Sequence, residues 1–570
     1  LEGEKKLKLA VHSIAEFNQK FLLLGTHGKG LYQFNHKNRK FNLVSNKSSF
    51  SNAGLLINGL SRSKKGKFFV GTNRGLMIFD PYNLELNMAK LDTGEGYESI
   101  DVSIQSMTVA SDQSIWIGTF SSGVYRLNES DNGVFEIRKF NISDNRILSI
   151  SEKSDGKILC GTENDGLFEI DYATGIIKNQ RYDKLNNEGL KSNSIWSVFA
   201  DDKDRVWLGY YNKGIDVYDK NHDKFRSFKQ NPFQSSSLNS NSVTSIVSDK
   251  NNLLWIGLLE GGIDVYDPIK KKFTNLTDSK NPYATGLNAE DIQSVFADSK
   301  NNIWVGTWNN GLYLLENNRK SFKNINKNSK GSVFKSNRIM SFAEDSKGTL
   351  WIGTFLSGLY SYDPQRKSFT HHNNGPFSEF KIKSSNIRKI IVDREDNVWL
   401  GTRSGVYRLN KEEGKATYTI TSLNDKMSRL LGNPTEPTII FSLFEDRQNQ
   451  IWIGSKGRGL FKYSKKEDDL IFYTAKDGLI HNTVFSITED EAGSIWIGGD
   501  NGLSKLDVKQ NIFNNFNKDD GLLSNNFNYN SVYKSPSNVL YFGNTKGINY
   551  FNPDKIIKNK ETPTVYFTDL

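Results

Sequence analysis

The chain has 570 residues, 36% of them hydrophobic and 12% aromatic, and a formal net charge of +10. That apolar content excludes a disordered chain, and the length exceeds what one hydrophobic core supports, so more than one domain is expected. No run of about 18 apolar residues is available to span a bilayer, the Lys and Arg residues are scattered rather than clustered as a nucleic-acid surface requires, and a single cysteine excludes a disulfide framework or a multi-cysteine metal site.

The opening stretch, Leu1 to Lys8, is charged and has no apolar segment, so no signal peptide is expected within it. From there an aromatic or aliphatic pair followed by Gly, usually then Thr, recurs at Gly25, Gly71, Gly118, Gly161, Gly209, Gly257, Gly306, Gly353, Gly401, Gly454, Gly498 and Gly543. The spacings run from 43 to 53 residues, the period of a β-propeller blade of four short strands, and no 3.6-residue hydrophobic period accompanies them. The predicted fold class is therefore all-β: tandem β-propellers of four-stranded blades, with twelve repeats visible. In the fourth repeat Cys160 takes a strand slot held elsewhere by Ile or Val, which predicts a buried, unreactive thiol.

The sixth repeat displays the unit clearly. Strand A is Ser242 to Val247, strand B Leu254 to Gly257, strand C Gly262 to Asp267 and strand D Lys272 to Leu276. β-Branched and aromatic residues fill the strands, and Asn, Asp, Gly and Lys fill the turns. Trp116, Trp207, Trp255, Trp304, Trp351, Trp399, Trp452 and Trp496 share one repeat column and are expected to pack between blades. Glycines such as Gly123, Gly311 and Gly358 fall where a tight B–C hairpin needs positive φ. The last repeat has no evident D strand after Phe551; a D-like segment at Lys224 to Phe228 is placed to supply one.

Strand direction alternates within a blade, so the B–C turns and D–A loops share a face. Bulky residues are out of place in turns of this length, which marks Phe120, Tyr210, Tyr211, Phe355, Arg403 and above all Trp308, beside Asn309 and Asn310, as candidate ligand-binding residues. An aromatic plane beside amides suits stacking on a sugar while hydrogen-bonding its hydroxyls; packing against neighbouring loops is the alternative. A second variable column in strand A, including His12, Asn58, Gln105, Trp196, Thr244, Gln293, Met340, Arg388, Phe441 and Phe485, lines the channel of a propeller. Arg388 is a further candidate, because a buried cation calls for an anionic ligand or for a carboxylate from an adjacent blade.

The pattern Ile-Trp-Ile-Gly-Thr followed by Gly-Leu-Tyr resembles the two-component-regulator propeller repeat, with Ile115 to Thr119 and Gly123 to Tyr125, and Leu350 to Thr354 and Gly358 to Tyr360, as its clearest carriers. The connections Asp477 to Asn482 and Asp520 to Asn525 are similar to that family's D–A linkers, and Thr562 to Leu570 resembles the first strand of the β-sandwich that follows such propellers. The resemblance implies two seven-bladed propellers forming the periplasmic sensor of a Bacteroides-type hybrid two-component system, part of an inner-membrane protein. It further implies a glycan or oligosaccharide ligand, a homodimeric full receptor, and signalling through a membrane helix outside this chain to a histidine kinase that controls polysaccharide-utilisation genes. Twelve repeats where fourteen are implied place a first propeller at 1–221 with about five blades and its N-terminal blades missing, a second seven-bladed propeller at 222–555, and a linker with the first sandwich strand at 556–570; a six-and-six division is the alternative.

No catalytic constellation, metal site or cofactor is expected. The one His pair, His371–His372, lies in what reads as a polar loop, without metal-ligand spacing. A propeller glycosidase or polysaccharide lyase and a protein-interaction scaffold remain alternatives to a sensor. The basic balance leans toward an acidic glycan.

Overall fold

The computed structural model describes residues 8–46, 52–63, 66–184, 189–219, 224–234, 236–276, 285–318, 321–372, 382–411, 418–432 and 436–556. The expected sandwich strand at 562–570 lies outside the described residues. The chain divides into two compact units, Leu1–Lys220 and Asn221–Leu570. Both are built from antiparallel four-stranded blades, here numbered in chain order, in which strands A to D are hydrogen-bonded neighbours in sequence order.

The C-terminal unit is a closed ring of seven blades, 6 to 12. Their A strands, Val243–Ser248, Ile292–Ala297, Ile339–Glu344, Ile387–Val392, Ile440–Glu445, Val484–Glu489 and Phe527–Lys534, each pack on the next, and the last packs on the first. Blade 12 takes its fourth strand from the start of the unit: Arg226–Phe228 pairs antiparallel with Gly547–Phe551, Ser227 opposite Asn549. Phe225 lies edge-on to Phe551 at 4.8 Å, and Phe228 stacks on Tyr550 at 4.4 Å. Two segments more than 300 residues apart thus share one sheet, and the ring cannot open without losing both the pairing and this aromatic cluster.

The motif glycine is required by the next blade. A Cβ on Gly353 would lie 2.9 Å from Ile387 Cγ2 and 2.9 Å from Ser341 Oγ; on Gly454 it would lie 2.1 Å from Ser442 Oγ and 2.5 Å from Val484 Cγ1. The first residue of strand A in one blade occupies the space a side chain would need in the blade before it. The tryptophan column packs between blades: Trp304 meets Tyr362, Trp351 meets Tyr418 and Trp399 meets Tyr463, with centroids 5.1, 5.5 and 5.7 Å apart. Its indole N–H groups have a partner that the repeat pattern had not marked. Seven of the eight are accepted by an aspartate six residues earlier, in the A–B turn, among them Trp255 by Asp249 (3.0 Å), Trp304 by Asp298 (2.9 Å), Trp452 by Asp446 (2.7 Å) and Trp496 by Asp490 (2.9 Å), while Trp116, preceded by Ala110 at that position, donates to Ser114 Oγ (3.1 Å). The other carboxylate oxygen accepts the turn's own backbone N–H groups, as Asp446 does from Gln448 and Gln450. One carboxylate therefore shapes the turn and fixes the ring.

The N-terminal unit has five blades packed in series, with A strands Val11–Asn18, Ile57–Arg62, Ile104–Val109, Ile147–Glu152 and Ile195–Ala200. Blade 5 has three described strands and exposes columns that are buried elsewhere. Ile215 and Tyr218 are 70% and 54% exposed, whereas their counterparts Ile263 and Tyr266 in blade 6 are 0% and 8% exposed. Trp196, Phe199 and Tyr211 are exposed on the same blade. Cys160 is fully buried in blade 4, and burial pushes its thiol pKa up.

The His371–His372 pair is not in a loop. Both residues belong to strand D of blade 8, Ser368–His372. His371 stacks on Tyr360 at 4.3 Å, and His372 shares a hydrogen bond with Ser361 Oγ at 2.9 Å. The Thr and aromatic residues around them give the segment β character that its polarity conceals.

Candidate ligand site

In eleven blades strand A carries a β-bulge after its first residue. The skipped residues include His12, Gln105, Trp196, Gln293, Met340, Arg388, Phe441 and Phe485, the variable column found in the sequence. A bulge leaves one residue unpaired and re-aims its side chain, so this column is free to vary while the ladder on either side of it is fixed. In blade 12 the bulge is larger: Phe527 pairs with Asn544 and the next pair is Val532 with Phe542. The extra residues cross the channel. Asn528 donates to Val243 O (2.8 Å), Tyr529 to Gln293 Oε1 (2.9 Å) and Asn530, at φ +60°, to Arg388 O (3.2 Å). The channel of the C-terminal ring is thereby bridged from blade 12 to blades 6, 7 and 9.

Beside this bridge, side chains from successive blades meet. Trp308, in the B–C turn of blade 7, has its ring centroid 5.1 Å from that of Phe355 in the B–C turn of blade 8. Arg338, which immediately precedes strand A of blade 8, places its guanidinium 4.7 Å from the Trp308 centroid and 5.6 Å from that of Phe355. Arg388 lies 5.9 Å from Phe355 and 5.2 Å from Phe441. Phe441 in turn contacts Phe485 at 5.1 Å and stacks on Tyr529 at 5.9 Å. Leu356, beside Phe355, is exposed with φ +70°, a conformation costing a non-glycine residue about 1 kcal/mol. The turn presenting Phe355 is therefore held in a strained shape.

Of the sequence candidates, Trp308, Phe355 and Arg388 come together here. Arg403 lies close enough to Arg388 to lower its pKa, although burial is the larger cause. Asn309 and Asn310 are exposed beside Trp308, and Asn310 donates to Asn288 O (2.9 Å) while its own carbonyl accepts from Asn324 (2.8 Å). The other three belong to the N-terminal unit. Phe120 is partly exposed with the Arg146 guanidinium 4.8 Å from its centroid; Tyr211 is exposed, 5.0 Å from Trp196; Tyr210 is buried, its hydroxyl donating to Asp216 (2.9 Å). Asp216, which accepts that hydroxyl, lines an open groove of about 750 Å³ together with Asn164, Tyr182 and Lys213.

Arg338, Phe441 and Tyr529 complete the cluster and had not been singled out as ligand contacts. Arg338 carries a detectable signal: like Arg146 it stands just before strand A, next to a bulky residue in the preceding blade's B–C turn. Tyr529 carries none, because its position depends on the enlarged bulge. No group of three or more His, Cys, Asp or Glu residues suited to a metal ion occurs among the described residues, and no helix among them is long and apolar enough to cross a membrane.

Comparison with known proteins agrees with this architecture. The family described as "two component regulator propeller" matches at residues 237–259, 286–309, 334–355, 436–457 and 478–501, each match running from the D–A connection into strand B. Histidine kinase P4 of Formosa agariphila is 26% identical over 196 residues, which is 34% of this chain and 14% of that kinase. The crystal structure of the extracellular domain of BT3049, described as a hybrid two component system of B. thetaiotaomicron, superposes with a TM-score of 0.68 at 23% identity, covering 95% of this chain and 68% of that one. That likeness establishes the shared fold. The chain carries two component regulator propeller repeats, arranged in the tandem-propeller fold of that extracellular domain.

Proposed function

We propose that the chain is the extracytoplasmic ligand-binding part of a hybrid two-component receptor and that it binds an oligosaccharide at the channel mouth of the C-terminal ring. The observation that carries this reading is the contiguous Trp308–Phe355 surface with exposed Asn309 and Asn310 at its edge. The two rings, inclined at 48° to one another, each offer an aromatic face to a pyranose, and the amides serve its hydroxyls. The receptor sits in the inner membrane with this part in the periplasm, acts as a dimer, and passes the signal to a histidine kinase controlling polysaccharide-utilisation genes. Calorimetric titration of the whole chain with a panel of oligosaccharides, with product analysis, is the test. Binding without turnover, weakened about tenfold or more by Trp308→Ala, is expected. Turnover would replace the sensor by a glycosidase or lyase, and silence across the panel would favour a protein-interaction scaffold.

We also propose that the five N-terminal blades belong to a seven-bladed ring completed by further blades of the same protein. Ile215 and Val217 stand in columns that a following blade buries elsewhere, as blade 7 buries Ile263 and Val265. A longer chain containing those blades is expected to shield Trp196 from acrylamide quenching; unchanged quenching would refute the proposal.

A further inference from the structure

The site proposed above holds more positive charge than its surroundings balance. Arg338 and Arg388 lie against Phe355, Arg403 stands close to Arg388 with its backbone N–H donating to Asn386 O at 3.2 Å, and none of the three forms an ion pair with a carboxylate among the described residues. Arg388 is half-buried, and its Nε is shielded from solvent without a hydrogen-bond partner. Its neighbours are the rings of Phe355, Phe441 and Tyr529, and a second cation, Arg403. The B–C turns of blades 8 to 10 and the bulge residues Met340, Arg388 and Phe441 include no Asp or Glu, and the blade 10 turn itself carries Lys456 and Arg458; the nearest acids in sequence register are Asp291, whose carbonyl accepts the Trp308 backbone N–H at 3.1 Å, and Asp500 in the blade 11 turn. The tryptophan column shows the contrasting design. Lys465, buried at the blade 9–blade 10 contact, is matched by Asp393 at 3.2 Å and Glu445 at 2.8 Å.

Partly desolvated like charges repel, and leaving them uncompensated is costly. At the blade 9–blade 10 contact the fold meets that cost with carboxylates from its own blades, whereas Arg338 and Arg388 have none within ion-pair distance among the described residues. Rings flank two of the guanidinium groups, which holds them in orientation and leaves their N–H edges available to a ligand. Such edges match the paired oxygens of a carboxylate or sulfate.

Resting on the oligosaccharide reading, we propose that the mouth of the C-terminal ring is specific for an anionic sugar: a carboxylate or sulfate ester held by Arg388 and Arg403, with Arg338 and Trp308 against the adjoining ring face. The test titrates the whole chain with oligogalacturonides and with sulfated galactan oligosaccharides, each beside its carboxyl-reduced or desulfated counterpart. Binding of one charged series, with its neutral counterpart at least about thirtyfold weaker, is expected, and the series that binds identifies carboxylate or sulfate. Arg403→Gln, at an exposed position, is expected to weaken binding and flatten its salt dependence without changing the melting temperature. Arg388→Lys is expected to retain more affinity than Arg388→Gln. Equal binding of charged and neutral forms would overturn the anionic specificity and leave the oligosaccharide reading standing. Charge-dependent binding unaffected by either arginine substitution would overturn the site, and binding of no oligosaccharide in the set would overturn both.

Discussion

Substitution of Asp446 by alanine probes the device that the repeat uses to lock each tryptophan. Asp446 is 2% exposed; Oδ2 accepts the Trp452 indole N–H at 2.7 Å, and Oδ1 accepts the Gln448 and Gln450 N–H groups at 2.9 Å each. Hydrogen bonds to a charged acceptor contribute about 1.5–3 kcal/mol each. The two turn amides lie near solvent and recover part of theirs from water, whereas the indole N–H is enclosed. Asp446→Ala is therefore expected to destabilise the C-terminal ring by about 3–5 kcal/mol. Trp452→Phe, which keeps most of the ring's packing, is expected to cost about 1–2 kcal/mol. In the double variant the indole donor is already gone, so the two costs should fall short of additive by about 1–2 kcal/mol. Urea unfolding of the whole chain, followed by far-ultraviolet circular dichroism, measures all three. A loss below about 1 kcal/mol for Asp446→Ala, or additive costs in the cycle, would refute the view that the carboxylate fixes both turn and ring.

Three further outcomes follow from particular contacts. Burial holds the pKa of His372 down, to about 4 in the folded ring, with His371 as a lesser cause. An unfolded histidine titrates near 6.5, so this stability is fully present above about pH 6.5 and is lost as pH falls toward 4, by up to about 3 kcal/mol. His372→Gln should remove that component from the stability–pH curve, and an unchanged curve between pH 6.5 and 4.5 would contradict it. Gly454→Ala forces a methyl group against Ser442 and Val484 and is expected to cost about 2–3 kcal/mol in denaturant unfolding; a neutral result would mean the blades are more loosely stacked than described. Phe225→Ala empties the contact with Phe516 and Phe551. It is expected to cost about 3–4 kcal/mol and to speed amide exchange in Gly547–Phe551, while normal protection there would place ring closure elsewhere.

The amino-acid sequence by itself determined the blade. The 43–53-residue period, the strand and turn composition and the tryptophan column are local properties, and each blade repeats the same solution to burying both faces of a small sheet. The Lys224–Phe228 segment, with Phe225 and Phe228 among polar residues, was legible for the same reason, as a D strand without a blade of its own. The bulge column could be aligned by repeat, but not the bulge itself, since pairing register is not written in composition. Only the tertiary structure decided which off-pattern residues meet. Trp308, Arg338, Phe355, Arg388 and Phe441 come from four consecutive blades and are separated by 17 to 53 residues in sequence, so their convergence depends on the radial stacking angle. The same stacking buried Tyr210 and left Tyr211 exposed, although both are bulky residues beside the same turn. Tyr529 enters the channel because one strand bulges further than its eleven equivalents. Local periodicity specifies an element and its faces; closing those elements into a ring selects the side chains that share a site.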